Sequence, residues 1–308
     1  MKQYLLGVDI GGTAIKIGKF DLFGELLEKW DIPTDRSDHG SRILKDIYEA
    51  VSARVSWDEV KGVGFGVPGP VTDNVALTCV NLGWGIVDVP ATFRQFMTYE
   101  DVLVRASNDA NVAATGEVFR GAAVGKKNVV MFTLGTGVGG GVVVDGKLVD
   151  GKNGAAGELG HLVIDFTHKI LCKCGKHGCL ETVSSATGIV NLARIHLQSS
   201  SVASPLRSMT DFSAKRVLDL AKAGDVIALA AVDDAADYLG RAIAGVLLSL
   251  NPEVVLIGGG VSHAGPFFLD KVAAKAQEYS SPFAKDTPIL GATLGNDAGM
   301  FGAAYLVR

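Results

Sequence analysis

Short apolar runs broken by glycine turns set the rhythm of this chain, and that rhythm predicts its elements. Residues 4–10 form an apolar run with Asp9 near its end. Gly11-Gly12-Thr13 interrupts it, and residues 14–20, which include Lys16, resume it. The pattern is strand, turn, strand: a hairpin with a Gly-Gly-Thr tip. Residues 21–30 add a turn and a third strand, stopped by Pro33. Within residues 38–55, Ile43, Leu44, Ile47, Ala50 and Val51 recur at helical spacing. Residues 63–67 read as a buried strand that breaks at Pro68-Gly69-Pro70. Residues 102–107 read as another strand, running into Asn108-Asp109-Ala110-Asn111 and a helix from about Val112.

The second half repeats this logic. Residues 128–134 lead into Gly135-Thr136-Gly137-Val138-Gly139-Gly140-Gly141, then an apolar run, an Asp145-Gly146 hairpin signal and residues 147–149. A Gly/Thr tip between strands in each half divides the chain into two related parts. Residues 181–196, 213–223 and 228–250 are expected as helices, with a polar loop over 198–212. A strand at 253–257 meets Gly258-Gly259-Gly260, a late strand covers 289–294, and a terminal helix covers 297–306. The small residues of that last helix imply close packing against another element. Strands alternating with helices over 308 residues give an α/β protein, more readily two domains than one.

Composition narrows the function. The net charge is -4 and no block of like charge occurs, so no nucleic-acid partner is expected. The apolar stretch at 242–250 is too short to span a bilayer, and the N-terminus lacks a signal-peptide core; a cytoplasmic protein without membrane contact is the expectation.

Candidate chemistry concentrates in one place. Cys172, Cys174 and Cys179 lie within eight residues, and His161 sits eleven residues upstream of the first. Three thiolates and an imidazole make a closed tetrahedral set for structural zinc. A disulfide between two of them would leave one cysteine over, and nothing else suggests an oxidising compartment. Glu158 precedes His161 by three residues, and Glu181 follows Cys179 by two. An ion there would hold two carboxylates in place, and fixed carboxylates suit the hydroxyls of a polyol or sugar. The backbone amides of the hairpin tips, with the Thr13 hydroxyl, can cradle phosphate oxygens; the tips match neither the P-loop nor the dinucleotide fingerprint. Gly258 to Gly260 leave bare backbone for a flat ligand such as adenine with its ribose. Asn81 and Trp84 in one loop can order a sugar face, though a single tryptophan more often packs. Asp109, at a strand's C-terminal end and beside a helix N-terminus, is either a cap or an ionised carboxylate placed to accept a proton from a hydroxyl.

These residues together resemble the ROK family (repressors, open reading frames, kinases), most closely its bacterial glucokinase-like sugar kinases. The resemblance rests on Asp9 to Thr13, Gly66 to Pro70, Asn108 to Asn111, Leu134 to Gly141, Glu158-x-Gly160-His161, Cys172-x-Cys174-Gly175-x-x-Gly178-Cys179-x-Glu181 and the triple glycine. It covers essentially the whole chain, and the cysteine signature is its specific part.

The resemblance implies two ribonuclease-H-like domains of the actin-like ATPase superfamily, with the active site in the cleft between them. The boundaries that follow are residues 1–112 plus 296–308 for the smaller domain and 113–295 for the larger. It implies ATP with Mg²⁺, the phosphates gripped by Asp9, Gly11, Gly12, Thr13, Lys16, Gly135, Thr136 and Gly137, and the adenosine by Gly258, Gly259 and Gly260. A hexose is implied at Gly69, Asn81, Asn108, Glu158, His161 and Glu181, with Asp109 as general base toward the 6-hydroxyl of glucose. Homodimers or higher homo-oligomers are implied as well. The helix-turn-helix of the family's repressors precedes the first hairpin, which here starts at residue 4, so that module is not expected. Phe166-Thr167-His168-Lys169 departs from a Gly-Pro turn common in the family. Another hexose, an N-acetylhexosamine such as N-acetylmannosamine or N-acetylglucosamine, or a non-catalytic sugar sensor are the competing readings.

Overall fold

The computed structural model describes residues 2–308. By contact density the chain divides into two compact units: Met1–Lys127 with Gly141–Gly157 and Leu294–Arg308, and Asn128–Gly140 with Glu158–Thr293.

The first unit opens with β1 (Tyr4–Ile10), β2 (Ala14–Asp21) and β3 (Leu26–Pro33), followed by α1 (Ile43–Ser52) and β4 (Val60–Val67). Three two-residue strands, β5 (Val71–Thr72), β6 (Val75–Ala76) and β7 (Val87–Asp88), lead to α2 (Val89–Arg94), β8 (Leu103–Asn108) and α3 (Asp109–Arg120). The main sheet runs β3-β2-β1-β4-β8. β1, β2 and β3 pair antiparallel, and β1–β4 and β4–β8 pair parallel. On α1, Ile43, Leu44, Ile47 and Val51 are all buried, the face that the spacing predicts. Each such side chain contributes about 2 kcal/mol of burial. The helix begins later than the pattern suggested, because Asp38 and His39 take left-handed φ values of 48° and 54°, which no right-handed helix accommodates.

The second unit carries β9 (Val129–Leu134) and the start of β10 (Val138–Val144), inside which the chain passes to the first unit and to β11 (Lys147–Leu148). It returns through a short turn at Leu159–His161 to α4 (Glu181–Ser184), α5 (Ala186–Ser199), α6 (Ala214–Lys222), α7 (Val226–Leu250), β12 (Val254–Gly258), α8 (Pro266–Tyr279) and β13 (Ile289–Gly291). The strand order β11-β10-β9-β12-β13 repeats that of the first sheet: a hairpin and its neighbour, then two strands added in parallel. The duplication read from the two Gly/Thr tips is thus a duplication of topology.

Two expected elements change shape. The helix expected over 181–196 is two helices, since Ser185 leaves helical geometry at ψ 179° and caps α5 with its hydroxyl on the Gly188 N–H. α8 has no counterpart in the sequence reading; its buried face is only Phe268, Val272 and Ala276, a weak stripe, although Gly265-Pro266 marks its start. α7 is capped by Asp225 and ended by Asn251 in the left-handed conformation.

The last helix, α9 (Ala298–Tyr305), belongs to the first unit and packs along α3 and across β1 and β4. A side chain at Gly302 would run into the Val112 carbonyl, and one at Gly64 into that of Ala303, so these glycines set how closely α9 approaches. No helix among the described residues is long and apolar enough to cross a membrane.

Candidate active site

In the first unit, Asp109 is the first residue of α3, directly after β8. Capping falls to its neighbour: the Asn108 side-chain oxygen accepts from the N–H groups of Ala110 and Asn111, and its amide donates to the Gly69 carbonyl at 3.0 Å. Asn108 therefore ties the Pro-Gly-Pro break of β4 to the start of α3. Asp109 accepts at 2.8 Å from the Ala110 N–H at the start of the helix.

Asp9 lies close by. Atoms of both aspartates, Asp9 Oδ1 at 3.6 Å and Asp109 Cα at 3.8 Å, surround the position a Gly66 side chain would take. Asp9 pairs across the hairpin with Lys16, whose ammonium binds the Asn296 carbonyl. The tip between them is held by Thr34, whose hydroxyl donates to the Gly11 carbonyl at 2.7 Å and whose N–H reaches the Thr13 carbonyl at 3.0 Å. Asn81 is exposed and lies next to Gly12. Trp84 is buried and donates to the Gly40 carbonyl, so it packs and does not face a sugar. Cys79 is buried, as an ordinary core thiol would be.

The Asp9 carboxyl is pushed up to about 6, first by burial and then by the charge of Asp109, with Asp297 adding and Lys16 opposing. With Asp297 paired to Lys29 at 2.8 Å, three carboxylates face two ammonium groups, and the remaining negative charge suits a divalent cation such as Mg²⁺. Since the folded state holds this proton more tightly than the unfolded chain, the group's stabilising contribution is present below its ordinary value of 3.8 and is lost as pH rises through about 6. Asp9→Asn is expected to stabilise the fold by about 3 kcal/mol at pH 7, to give little gain near pH 4, and to cost about 10²-fold in turnover. Denaturation curves at the two pH values check this; an equal gain at both contradicts it.

In the second unit, His161, Cys172, Cys174 and Cys179 place their donor atoms within 4.8 Å of one another. Cys174 Sγ lies 3.6 Å from Cys179 Sγ, and Cys172 Sγ lies 3.7 Å from His161 Nδ1. A tetrahedral zinc, with Zn–S about 2.3 Å and Zn–N about 2.0 Å, requires separations of roughly 3.8 and 3.6 Å. The donors fit that ion, and the sulfurs are too far apart for a disulfide at about 2.05 Å. The loop is tied by Cys172 N–H to the Lys176 carbonyl and by a bridge of Val163 to Cys179.

Glu158 and Glu181 both lie beside the cluster. His161 turns Nδ1 to the sulfurs and Nε2 toward Glu158 Oε2 at 3.8 Å. Glu181 has Oε1 2.9 Å from Cys172 Sγ, and its other oxygen lies 2.5 Å from where a Gly137 side chain would start. The Gly135–Gly137 tip is held in turn by α5: the Ala186 N–H reaches the Gly135 carbonyl, and the Thr187 hydroxyl reaches that of Thr136. Gly259, at φ 82°, sits on the end of β9, 2.6 Å from the Leu134 carbonyl by the same measure, so the triple glycine and the second tip are neighbours. Gly137→Ala is expected to displace Glu181 and lower kcat/KM for sugar about tenfold with the fold retained; unchanged kinetics argue against a role for that carboxylate.

The family profile of ROK proteins matches residues 5–308. The chain belongs to the ROK family. Glucokinase of Halalkalibacterium halodurans is 41% identical over 99% of this chain and 95% of its own length, and glucokinase of Thermotoga maritima 35% over 100% and 98%. The crystal structure of a ROK family glucokinase from Streptomyces griseus, in complex with glucose and AMPPNP, superposes with TM-score 0.76 at 31% identity, covering 98% of both chains. The twice-repeated sheet of this ROK protein is accordingly the actin-like ATPase fold.

Several positioning groups escape the sequence reading. Thr34 anchors the first tip from beyond β3. Asp150 accepts from Ser107 at 3.3 Å and from Asn111 at 3.4 Å, linking the segment before Glu158 to the turn that carries Asp109. The Phe166–Lys169 departure is a turn built on buried Asp165, whose Oδ1 accepts from the N–H groups of Thr167 and His168 and from the Tyr238 hydroxyl. Apart from the local Asp165 turn, these pairings join residues too far apart in sequence to leave a motif.

Proposed function

We propose that this ROK protein is an ATP-dependent hexose kinase acting on the 6-hydroxyl of glucose. The observation that carries the proposal is Asp109, the first residue of α3 directly after β8, close to Asp9 of the first hairpin. Phosphoryl transfer needs positioning and charge stabilisation more than covalent help from the protein. Glu158, His161 and Glu181 take sugar hydroxyls, and Asn81, Asn108 and the Gly69 backbone complete the sugar's contacts. Asp109 orients the primary hydroxyl and accepts its proton as the oxygen attacks the γ-phosphorus and ADP departs. The tips at Gly11–Thr13 and Gly135–Gly137, with Lys16, hold the phosphates, and Gly258 to Gly260 lie against the adenosine.

A magnesium ion bound with the nucleotide would neutralise phosphate charge, and Asp9 is the carboxylate that would help hold it. His161, Cys172, Cys174 and Cys179 would hold zinc, which would fix the acidic residues in place and take no part in the phosphoryl transfer. Glucose, ATP and Mg²⁺ incubated with the protein should give a product whose phosphorus couples to the C6 protons in NMR. Phosphorylation at another position, or only of an N-acetylhexosamine, overturns the substrate assignment. A cytoplasmic homodimer agrees with the rest of the reading.

A further inference from the structure

The four zinc-type ligands are not equally protected. Cys172 is 3% exposed and Cys179 0%, whereas Cys174 is open to solvent. The sulfur nearest Cys174 is Cys179, 3.6 Å away. Cys172 instead faces His161 and Glu181. Gly175 follows Cys174 at φ 86°, and a side chain there would meet nothing within 4 Å, so the Cys174 end of the turn has room to move, while Gly178 is packed against the Asp165 carbonyl and holds Cys179 in place. Closing the sulfur pair to about 2.05 Å needs a combined shift of only about 1.5 Å.

We propose that Cys174 is an oxidant-sensing modification site, with Cys179 as its resolving thiol and hydroperoxides as the reacting class. The Cys174 thiolate attacks the peroxide oxygen, the O–O bond breaks, and the leaving oxygen departs as water or an alcohol after taking a proton from solvent. Sulfur is thereby oxidised to the sulfenic acid. The Cys179 thiolate then attacks that sulfur, the S–O bond breaks, and hydroxide leaves as a second water. Two thiolates have given up one electron each to one peroxide, and the metal, deprived of two ligands, is released.

The consequence for catalysis rests on the sugar-kinase reading above. His161 and Cys172 lose the ion that pins them, and with them go Glu158, beside His161 Nε2, and Glu181, beside Cys172 Sγ. Sugar affinity falls while the residues of the first unit are untouched. Cys79, buried and outside the cluster, stays reduced.

The test treats the zinc-loaded, full-length wild-type protein with hydrogen peroxide and reads three quantities over time: zinc captured by a chromogenic chelator, peptide masses that locate each oxidised cysteine, and the glucose KM. The expected result is release of about one zinc per chain in step with a Cys174–Cys179 cross-link, Cys79 remaining a thiol, and reversal by dithiothreitol with added zinc. Zinc retained with Cys174 unmodified overturns the proposal, as does oxidation that begins at Cys79, or Cys174 oxidised without a link to Cys179. The KM readout is separate. A rise of about tenfold supports the coupling to sugar binding. Mapped cross-link and zinc release with an unchanged KM leave the modification site standing and overturn the assignment of Glu158 and Glu181 to the sugar.

Discussion

Replacing Asp109 with asparagine should leave a folded protein that still binds glucose and ATP but turns over at least about 10²-fold more slowly. The size of the effect follows from what the substitution removes. Asparagine keeps the shape, and its side-chain oxygen can still accept the Ala110 N–H, so the start of α3 survives. Asn108 continues to cap the helix and to hold the Gly69 carbonyl. Only the ability to accept a proton from the attacking hydroxyl is lost, so the change should appear in kcat with the sugar KM almost unaltered. Steady-state kinetics beside a binding titration checks this, and wild-type turnover in the variant rules Asp109 out as the base.

The second large effect is expected from Cys174→Ser. Cys174 is the exposed ligand, so its loss disturbs no packing. A serine hydroxyl is a poor zinc donor, and three remaining ligands hold the ion far less tightly. Zinc content should fall, and the glucose KM should rise about 10- to 100-fold, because His161 and Cys172 no longer hold Glu158 and Glu181. Metal analysis and kinetics on the same preparation decide it. Full zinc occupancy argues against Cys174 as a ligand; lost zinc with an unchanged KM argues against the metal's positioning role.

What could be read from the sequence was what is local along the chain. The cysteine loop was legible because its thiols lie within eight residues and its glycines mark the turns. Both Gly/Thr tips were legible because each is one hairpin, and their repetition announced two sheets of like topology. Small residues in α9 foretold a close approach, and Gly302 against Val112 is where it occurs. The missing parts are those built by distant pairing. Glu181 beside Gly137 depends on how α4 and α5 return to the second tip. Asp150 and Ser107 lie 43 residues apart, and Thr34 and Gly11 lie 23 apart. β5, β6 and β7 have two residues each, too few to show a period of two. α8 hid behind alanines, which mark no face. The ambiguity at Asn108-Asp109, cap or catalyst, could not be divided by sequence because both residue types cap helices; in the structure Asn108 accepts from two N–H groups of the first turn and Asp109 from one.

The central claim is that this protein transfers phosphate from ATP to glucose. Its most direct measurement is ADP release by zinc-loaded protein with Mg²⁺ and ATP, across glucose, fructose, allose, N-acetylglucosamine and N-acetylmannosamine. The account predicts ADP formed in equal amount to glucose consumed, with the highest kcat/KM for glucose. Glucose bound without any ADP above the sugar-free background would contradict it and point to a sensor.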